Sequence, residues 1–153
     1  WTVRSEPAVP GLGFALTLQT WVPWELSTVE RGLELSADTP DSPRVGEASS
    51  IALQAAAPSG MALTVRHLLP AGVQVDEASL QRLVASGELS GFEAADGLVR
   101  LDVLPLDPGE TLLVAYDVIP TLAGRLSSGA ASIWPAGQED LAFHVPPTVW
   151  LVR

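Results

Sequence analysis

Apolar and polar residues alternate along the chain in short segments, and glycine or proline separates most of these segments. In residues 61–69, for example, Leu63 and Val65 alternate with Thr64 and Arg66. A period of two places successive side chains on opposite faces of a strand, so each segment predicts a half-buried strand. Together the segments predict about nine strands joined by tight turns, a pattern typical of a β-sandwich or barrel.

One turn signal within this pattern is specific. Asp96 and Gly97 separate the alternating segments 89–94 and 98–104. An Asp-Gly pair between two strands favours a two-residue hairpin, in which both residues have a positive φ. We therefore expect these two segments to form a hairpin.

After residue 72 the apolar spacing changes from that of a strand to that of a helix. Leu80, Leu83 and Val84 lie at positions i, i+3 and i+4, which form one apolar stripe. Asp76 can accept the free amides of a first helical turn. Gly87 can adopt the left-handed conformation that ends a helix. The sequence predicts one helix of about three turns inserted among the strands.

The predicted helix spans residues 77–86 and has a polar face. Its polar positions are Glu77, Ser79, Gln81, Arg82 and Ser86. An exposed helix can present a recognition face to a partner protein, and it can equally serve only to cover one end of the core. We take Glu77, Gln81 and Arg82 as the candidate protein-binding residues of this face.

Charge and cysteine content exclude several classes of function. The chain has 153 residues, which fits one domain, and a net charge of −10, with eight arginines and no lysine. This surface repels nucleic acids and anionic membranes. Without cysteine there is no disulfide, no thiolate catalysis and no cysteine-based metal site. No apolar run reaches the roughly 20 residues of a membrane span, so we expect no membrane insertion.

No catalytic motif stands out, and we expect neither an enzyme nor a metal or cofactor site. His67 lies on the predicted apolar face of its strand and His144 lies near the last strand, so a structural role is favoured for both. A hydrolase would need a serine and an acid folded against one of these imidazoles. Asp38 and Asp41 occupy a proline-rich turn that falls short of a calcium loop.

Two tryptophans offer an alternative function. Trp21 and Trp24 closely follow the apolar segment 14–19. Surface aromatic rings stack on sugars or anchor partner proteins, whereas rings at the end of a sandwich commonly pack on its core. A carbohydrate-binding or adhesive module that uses Trp21 and Trp24 is therefore the second hypothesis.

The order of elements in the middle of the chain resembles a known family. Residues 65–72 run into a proline-glycine turn, residues 73–80 lead into the predicted helix, and residues 92–101 carry the hairpin. This order is similar to that of the C-terminal receptor-binding domain of α2-macroglobulins and related thioester proteins. The resemblance covers residues 45–153. Residues 1–44 supply leading strands of the same domain, 1–153, or the tail of a preceding domain.

The resemblance implies a macroglobulin or immunoglobulin-like antiparallel β-sandwich within a large extracellular or periplasmic protease inhibitor. Since Trp1 is not a natural start, we expect a piece of such a longer protein. Family members trap proteases and carry a thioester in another domain. Animal members dock to a receptor through lysines on the helix, where this chain has only Arg82. The implied partners are other domains of the same chain, and through the parent protein a protease or a receptor.

Overall fold

The computed structural model describes residue 17 and residues 32–58, 60–107 and 109–153. In these residues the chain forms eleven strands, one α-helix and a 3-10 turn at Glu139–Leu141. Helix α1 (Glu77–Ala85) lies between β4 and β5. The strands are β1 (Glu34–Asp38), β2 (Ser49–Ala56), β3 (Leu63–Leu68), β4 (Val73–Val75), β5 (Gly91–Ala95), β6 (Leu98–Val103), β7 (Thr111–Pro120), β8 (Gly124–Ser127), β9 (Ala131–Pro135), β10 (Phe143–Val145) and β11 (Val149–Val152).

The strands form two main antiparallel sheets. The four-stranded sheet has the order β1-β2-β7-β4, and the five-stranded sheet has the order β10-β9-β3-β6-β5. Strands β8 and β11 form a separate antiparallel pair. On one side of the molecule β1 lies close to β9 and β10, so the two main sheets approach each other there. The predicted all-β sandwich with one inserted helix is confirmed.

The core lies between the inner faces of the two main sheets. Each sheet supplies aliphatic side chains that are almost completely buried: Ile51, Leu53, Val114 and Val118 from one, and Leu63, Val65, Val99, Leu101 and Ile133 from the other. Full burial of each such side chain contributes about 1.5–3 kcal/mol relative to exposure. The alternating pattern therefore folds as a sandwich because it gives each sheet one apolar face.

Helix α1 begins where the sequence predicts and ends one residue earlier, at Ala85. The Asp76 carboxylate accepts a hydrogen bond from the Ala78 amide at 3.1 Å. At the other end, Gly87 has a φ of +81°. The Gly87 amide donates to the Val84 carbonyl, and the Glu88 amide donates to the Leu83 carbonyl. This pair of hydrogen bonds is characteristic of a Schellman motif. Residue 86 caps the helix and is not part of it.

The hairpin predicted at Asp96 and Gly97 is also present. Both residues have a positive φ, +39° and +81°, and Ala95 pairs with Leu98 across the turn. This is the geometry of a two-residue type I′ turn, whose twist matches that of the strands it joins. The hairpin forms the β5 edge of the five-stranded sheet.

Two details of the strands do not follow from the local pattern. Residues 124–135 form two strands, because β8 pairs with β11 while β9 joins the five-stranded sheet. Strand β4 lies in a stretch where no strand was predicted, and it exists through its pairing with β7. The described residues contain eleven strands, and the pattern predicted about nine in the whole chain. Both details concern pairing between residues far apart in sequence, which local periodicity does not report.

Candidate interaction surface

The outer face of α1 carries the three residues singled out from the sequence. Glu77, Gln81 and Arg82 are all exposed. Leu80 and Leu83 point the other way and are buried in the core. Ser79 was predicted among the polar positions of this face, but it is only 3% exposed. The helix therefore covers the core with one stripe and presents a narrower polar face than the sequence indicated.

Ser79 is buried because it ties the helix to strand β7. Its hydroxyl donates to the Asp76 carbonyl at 2.6 Å and accepts the Asp117 amide at 2.9 Å. The Asp76 amide in turn donates to the Asp117 carbonyl at 2.9 Å. On the surface, a nitrogen of the Arg82 guanidinium lies 3.6 Å from a carboxylate oxygen of Asp117. Two hydrogen bonds at one residue of β7 thus hold the start of the helix, and the exposed ion pair adds a weak third contact.

A groove of about 670 Å³ lies beside the start of α1. It runs between the β3–β4 turn and β4 on one side and the β5–β6 hairpin on the other. Its lining residues are Leu69, Pro70, Ala71, Gly72, Val73, Gln74, Val75, Glu77, Ala94, Ala95, Asp96, Gly97 and Thr121. Glu77 therefore belongs both to the exposed helix face and to this groove.

The first histidine has a structural position in the core. The Nδ1 atom of His67 lies 2.7 Å from the Tyr116 hydroxyl, and both residues are buried. Burial lowers the pKa of His67 to about 4. Burial also raises the pKa of Tyr116 above its ordinary value. Because His67 lies on β3 and Tyr116 on β7, the hydrogen bond joins the two main sheets.

The second histidine, His144, contacts a serine on the neighbouring strand. Its Nδ1 atom lies 2.8 Å from the Ser132 hydroxyl. Ser132 is only 2% exposed, so its oxygen is not open to a substrate. This contact places a serine within reach of an imidazole, as the hydrolase hypothesis requires, but without the access that hydrolysis needs.

A third cluster is formed by Arg66, Trp134 and Glu139. The Arg66 guanidinium lies over the ring of Trp134, 5.2 Å from its centroid. One guanidinium nitrogen is 3.0 Å from the Glu139 carboxylate. Trp134 is 7% exposed, whereas Trp150 is 1% exposed and belongs to the core. Trp134 is thus shielded by an arginine and offers no free ring face to a ligand.

The remaining candidates give no site in the described part of the chain. Asp38 and Asp41 are exposed, and no group of three or more acidic or histidine side chains could hold a metal ion there. Within the same residues no helix is long and apolar enough to cross a membrane. Trp21 and Trp24 lie outside the described residues, so the carbohydrate-binding hypothesis stays a prediction.

Comparison of the fold with solved structures gives a consistent result. Native α2-macroglobulin from Escherichia coli, spanning the residues from domain MG7 to the C-terminus, matches with a TM-score of 0.63 and 15% identity, over 79% of this chain and 23% of that one. The Escherichia coli protein activated by porcine elastase matches with a TM-score of 0.64 and 17% identity, over 82% and 13%. A mutant of Salmonella α2-macroglobulin matches with a TM-score of 0.60 and 16% identity, over 78% and 9%.

The chain has the fold of a bacterial α2-macroglobulin domain. No protein-family model matches the sequence, and no curated protein matches it. The macroglobulin fold is therefore recognised through the order and packing of its elements, as the resemblance in the sequence indicated. The chain spans less than a quarter of each solved structure named above.

Two features of this macroglobulin fold were missed in the sequence. The first is Asp117, which contacts Ser79 and Arg82 although it is 38 and 35 residues away. The second is the groove, whose walls come from two different sheets. The available signal was Asp117 itself, an acidic residue within the largely apolar strand β7.

Proposed function

We propose that this chain is a non-enzymatic domain of an α2-macroglobulin-like, protease-trapping protein. In that protein it packs against other domains of the same chain and takes part in protein recognition. The observation that carries this proposal is the shared fold with Escherichia coli α2-macroglobulin between domain MG7 and the C-terminus. The small share of that structure that the chain spans supports a role within a larger protein. The proposed location is extracellular or periplasmic.

The outer face of α1 is the proposed contact surface. Glu77, Gln81 and Arg82 are exposed there, on a helix held rigidly against β7. A rigid helix face loses little conformational entropy when it is covered by a partner, which favours recognition. Arginine also forms planar, two-pronged contacts with carboxylates and is common at the centre of interfaces.

The proposal is tested on the parent protein. Its chain is expected to contain further macroglobulin-fold domains, and it should hold porcine elastase after cleavage, as the fold match to the elastase-activated structure suggests. Amide hydrogen exchange is then measured before and after elastase treatment. Protection of the amides in Glu77–Ala85 should change, because the contacts of the helix with other domains are remade.

Surface variants separate recognition from stability. The variant Glu77→Ala/Gln81→Ala/Arg82→Ala should alter the elastase-dependent exchange of the parent while leaving the unfolding of this domain nearly unchanged. The matched control is Arg44→Ala/Glu47→Ala, which removes another exposed ion pair, outside the helix. A parent chain without other macroglobulin domains, or one that neither holds elastase nor changes exchange, would overturn the proposal.

A further inference from the structure

The groove beside α1 marks the part of the sandwich that the helix leaves open. Strand β4 is an edge of the four-stranded sheet and β5 is an edge of the five-stranded sheet. The helix connects these two edges and packs on β5 and β7. The groove lies at the start of the helix, between Val73–Val75 of one edge and the residues Ala94 and Ala95 of the other. Unpaired sheet edges are the places where an extended peptide adds as another strand.

The register shows which backbone groups are available for such pairing. In β5 the pair Ala95 and Leu98 closes the type I′ turn, so it is the hydrogen-bonded pair. Hydrogen-bonded and non-hydrogen-bonded pairs alternate in antiparallel sheets, so the amide and carbonyl of Ala94 point away from β6. On either side of β4, the Gly72 carbonyl accepts from the amide of Thr121, the residue after β7, and the Asp76 amide donates to the Asp117 carbonyl of β7. By the same alternation, the amide and carbonyl of Val75 point away from β7.

The side chains of the groove favour a polypeptide backbone as the ligand. Its walls carry small residues, among them Ala71, Ala94, Ala95 and Gly97. These residues let another main chain come close to the strand edges. The floor includes Val73, which is 4% exposed, and can accept an apolar side chain. Strand β4 has three residues, so an added strand would pair over about 10 Å.

The charge of the groove selects among peptides. Glu77 and Asp96 are exposed carboxylates at the groove, and no arginine or histidine is among its lining residues. The whole chain has a net charge of −10, which attracts cationic partners and repels anionic ones over distances of several ångströms. Basic side chains on an added strand would therefore meet carboxylates on both walls.

We propose that this groove binds an extended, arginine- or lysine-bearing segment of a partner protein. The segment lies along the β4 and β5 edges, with backbone hydrogen bonds to Val75 and Ala94 and ion pairs to Glu77 and Asp96. This inference deepens the proposed function, because it gives the protein-recognition role a ligand class and a second surface next to the helix face.

The binding is tested by NMR with the ¹⁵N-labelled chain and a capped pentapeptide of alternating arginine and valine. The amide signals of Val75 and Ala94 should shift and saturate. Two control peptides address the two parts of the proposal. One replaces arginine by glutamate, and the other keeps arginine but carries N-methylated valines, which cannot donate backbone hydrogen bonds. Neither control should shift these signals at the same concentrations.

Variants then locate the site. Glu77→Gln/Asp96→Asn should weaken binding roughly tenfold, since each exposed ion pair is worth about a threefold change. Asparagine tolerates the positive φ of Asp96, so the turn is kept. The control Glu34→Gln/Asp38→Asn removes the same net charge from exposed positions of strand β1 and should weaken binding less than twofold. Ala94→Pro removes an outward amide without breaking the β6 ladder, so it should weaken binding while circular dichroism stays unchanged.

Several outcomes would overturn the inference. If the acidic peptide binds as well as the arginine peptide, charge selection is excluded. If the N-methylated peptide binds as well as the arginine peptide, strand addition is excluded. Equal weakening by the groove variant and its β1 control would place the effect in net charge and not in the groove. The titration does not depend on the parent protein, so it can succeed where the elastase experiment fails, and the two proposals are tested separately.

Discussion

His67 and Tyr116 place a hydrogen bond inside an apolar core. They join strands of the two main sheets at 2.7 Å, and neither residue is more than 2% exposed. In such a low-dielectric environment a polar group without a partner costs far more than one on the surface. The two side chains therefore depend on each other, and this dependence leads to two predictions.

The first prediction concerns pH. Burial lowers the pKa of His67 to about 4 in the folded chain, against 6.5 in the unfolded chain. Between pH 6.5 and pH 4 the unfolded chain binds a proton that the folded chain does not, so the free energy of unfolding falls as the pH is lowered. The loss from this residue approaches about 3 kcal/mol at pH 4. Urea unfolding followed by tryptophan fluorescence at pH 4, 5, 6.5 and 7.5 measures it.

The carboxylates also titrate in this range, so the comparison is made between variants. In His67→Gln the free energy of unfolding should change less between pH 6.5 and pH 4 than in the unsubstituted chain. His144→Gln is the same substitution at the other histidine, and this variant should keep the pH dependence of the unsubstituted chain. An unchanged slope in His67→Gln would show that this histidine is not the group responsible.

The second prediction concerns the hydroxyl. Tyr116→Phe leaves the Nδ1 atom of His67 without its partner and should lower the free energy of unfolding by about 1–3 kcal/mol at pH 7.5. The double variant Tyr116→Phe/His67→Leu removes both polar groups. It should therefore be less destabilised than the sum of the two single variants. Chemical denaturation of all three variants measures the coupling, and additive effects would contradict it.

Local residue choices determine where the elements begin and end. Asp76 and Gly87 bound α1, and Asp96 with Gly97 forms the turn between β5 and β6. These signals act within a few residues, so the sequence predicts them well. The exposed positions Glu77, Gln81 and Arg82 followed from the same helical period. The fold class and the helix face were therefore predictable.

The features that the sequence did not predict all depend on contacts between residues far apart in the chain. Strand β4 consists of three residues and forms because β7 lies beside it. A helical projection places Ser79 on the exposed polar face, yet its side chain is buried, where its hydroxyl accepts a hydrogen bond from the Asp117 amide. The groove requires the order of strands in two sheets, which no local pattern contains. Sequence periodicity reports which face is apolar and not which strand comes next to it.

A third prediction tests how α1 is attached. Ser79→Ala removes the acceptor of the Asp117 amide and should lower the free energy of unfolding by about 1–2 kcal/mol, although alanine favours helices. Ser86→Ala is the matched control in the same helix region. Its hydroxyl donates to the Leu83 carbonyl at an exposed position, so the expected change is below about 0.5 kcal/mol. Similar losses in both variants would contradict a specific attachment through Ser79.

At the scale of the whole molecule, negative charge dominates. The chain has 18 acidic residues and 8 arginines, and several arginines already pair with carboxylates on the surface. Such exposed pairs contribute little to stability, so the excess charge mainly causes repulsion between like groups. This repulsion is screened by salt over a distance that shortens as the ionic strength rises.

The fourth prediction follows from this charge. The melting temperature should rise by roughly 2–4 °C between 20 mM and 300 mM sodium chloride, which corresponds to about 1 kcal/mol for a domain of this size. Differential scanning calorimetry measures it. The variant Glu34→Gln/Asp38→Asn carries less negative charge and should gain less from added salt. A melting temperature that falls with salt would show that attractive ion pairs outweigh the repulsion.

The attachment of α1 to β7 also has a mechanical consequence. The helix continues from the edge strand of one sheet into the edge strand of the other, and its start is bonded to an interior strand. A force applied to its outer face by a bound partner therefore passes into β7 through the hydrogen bonds at Asp117 and into β5 through the chain itself. The helix thus connects the two sheets mechanically, and a load on its outer face is shared between them.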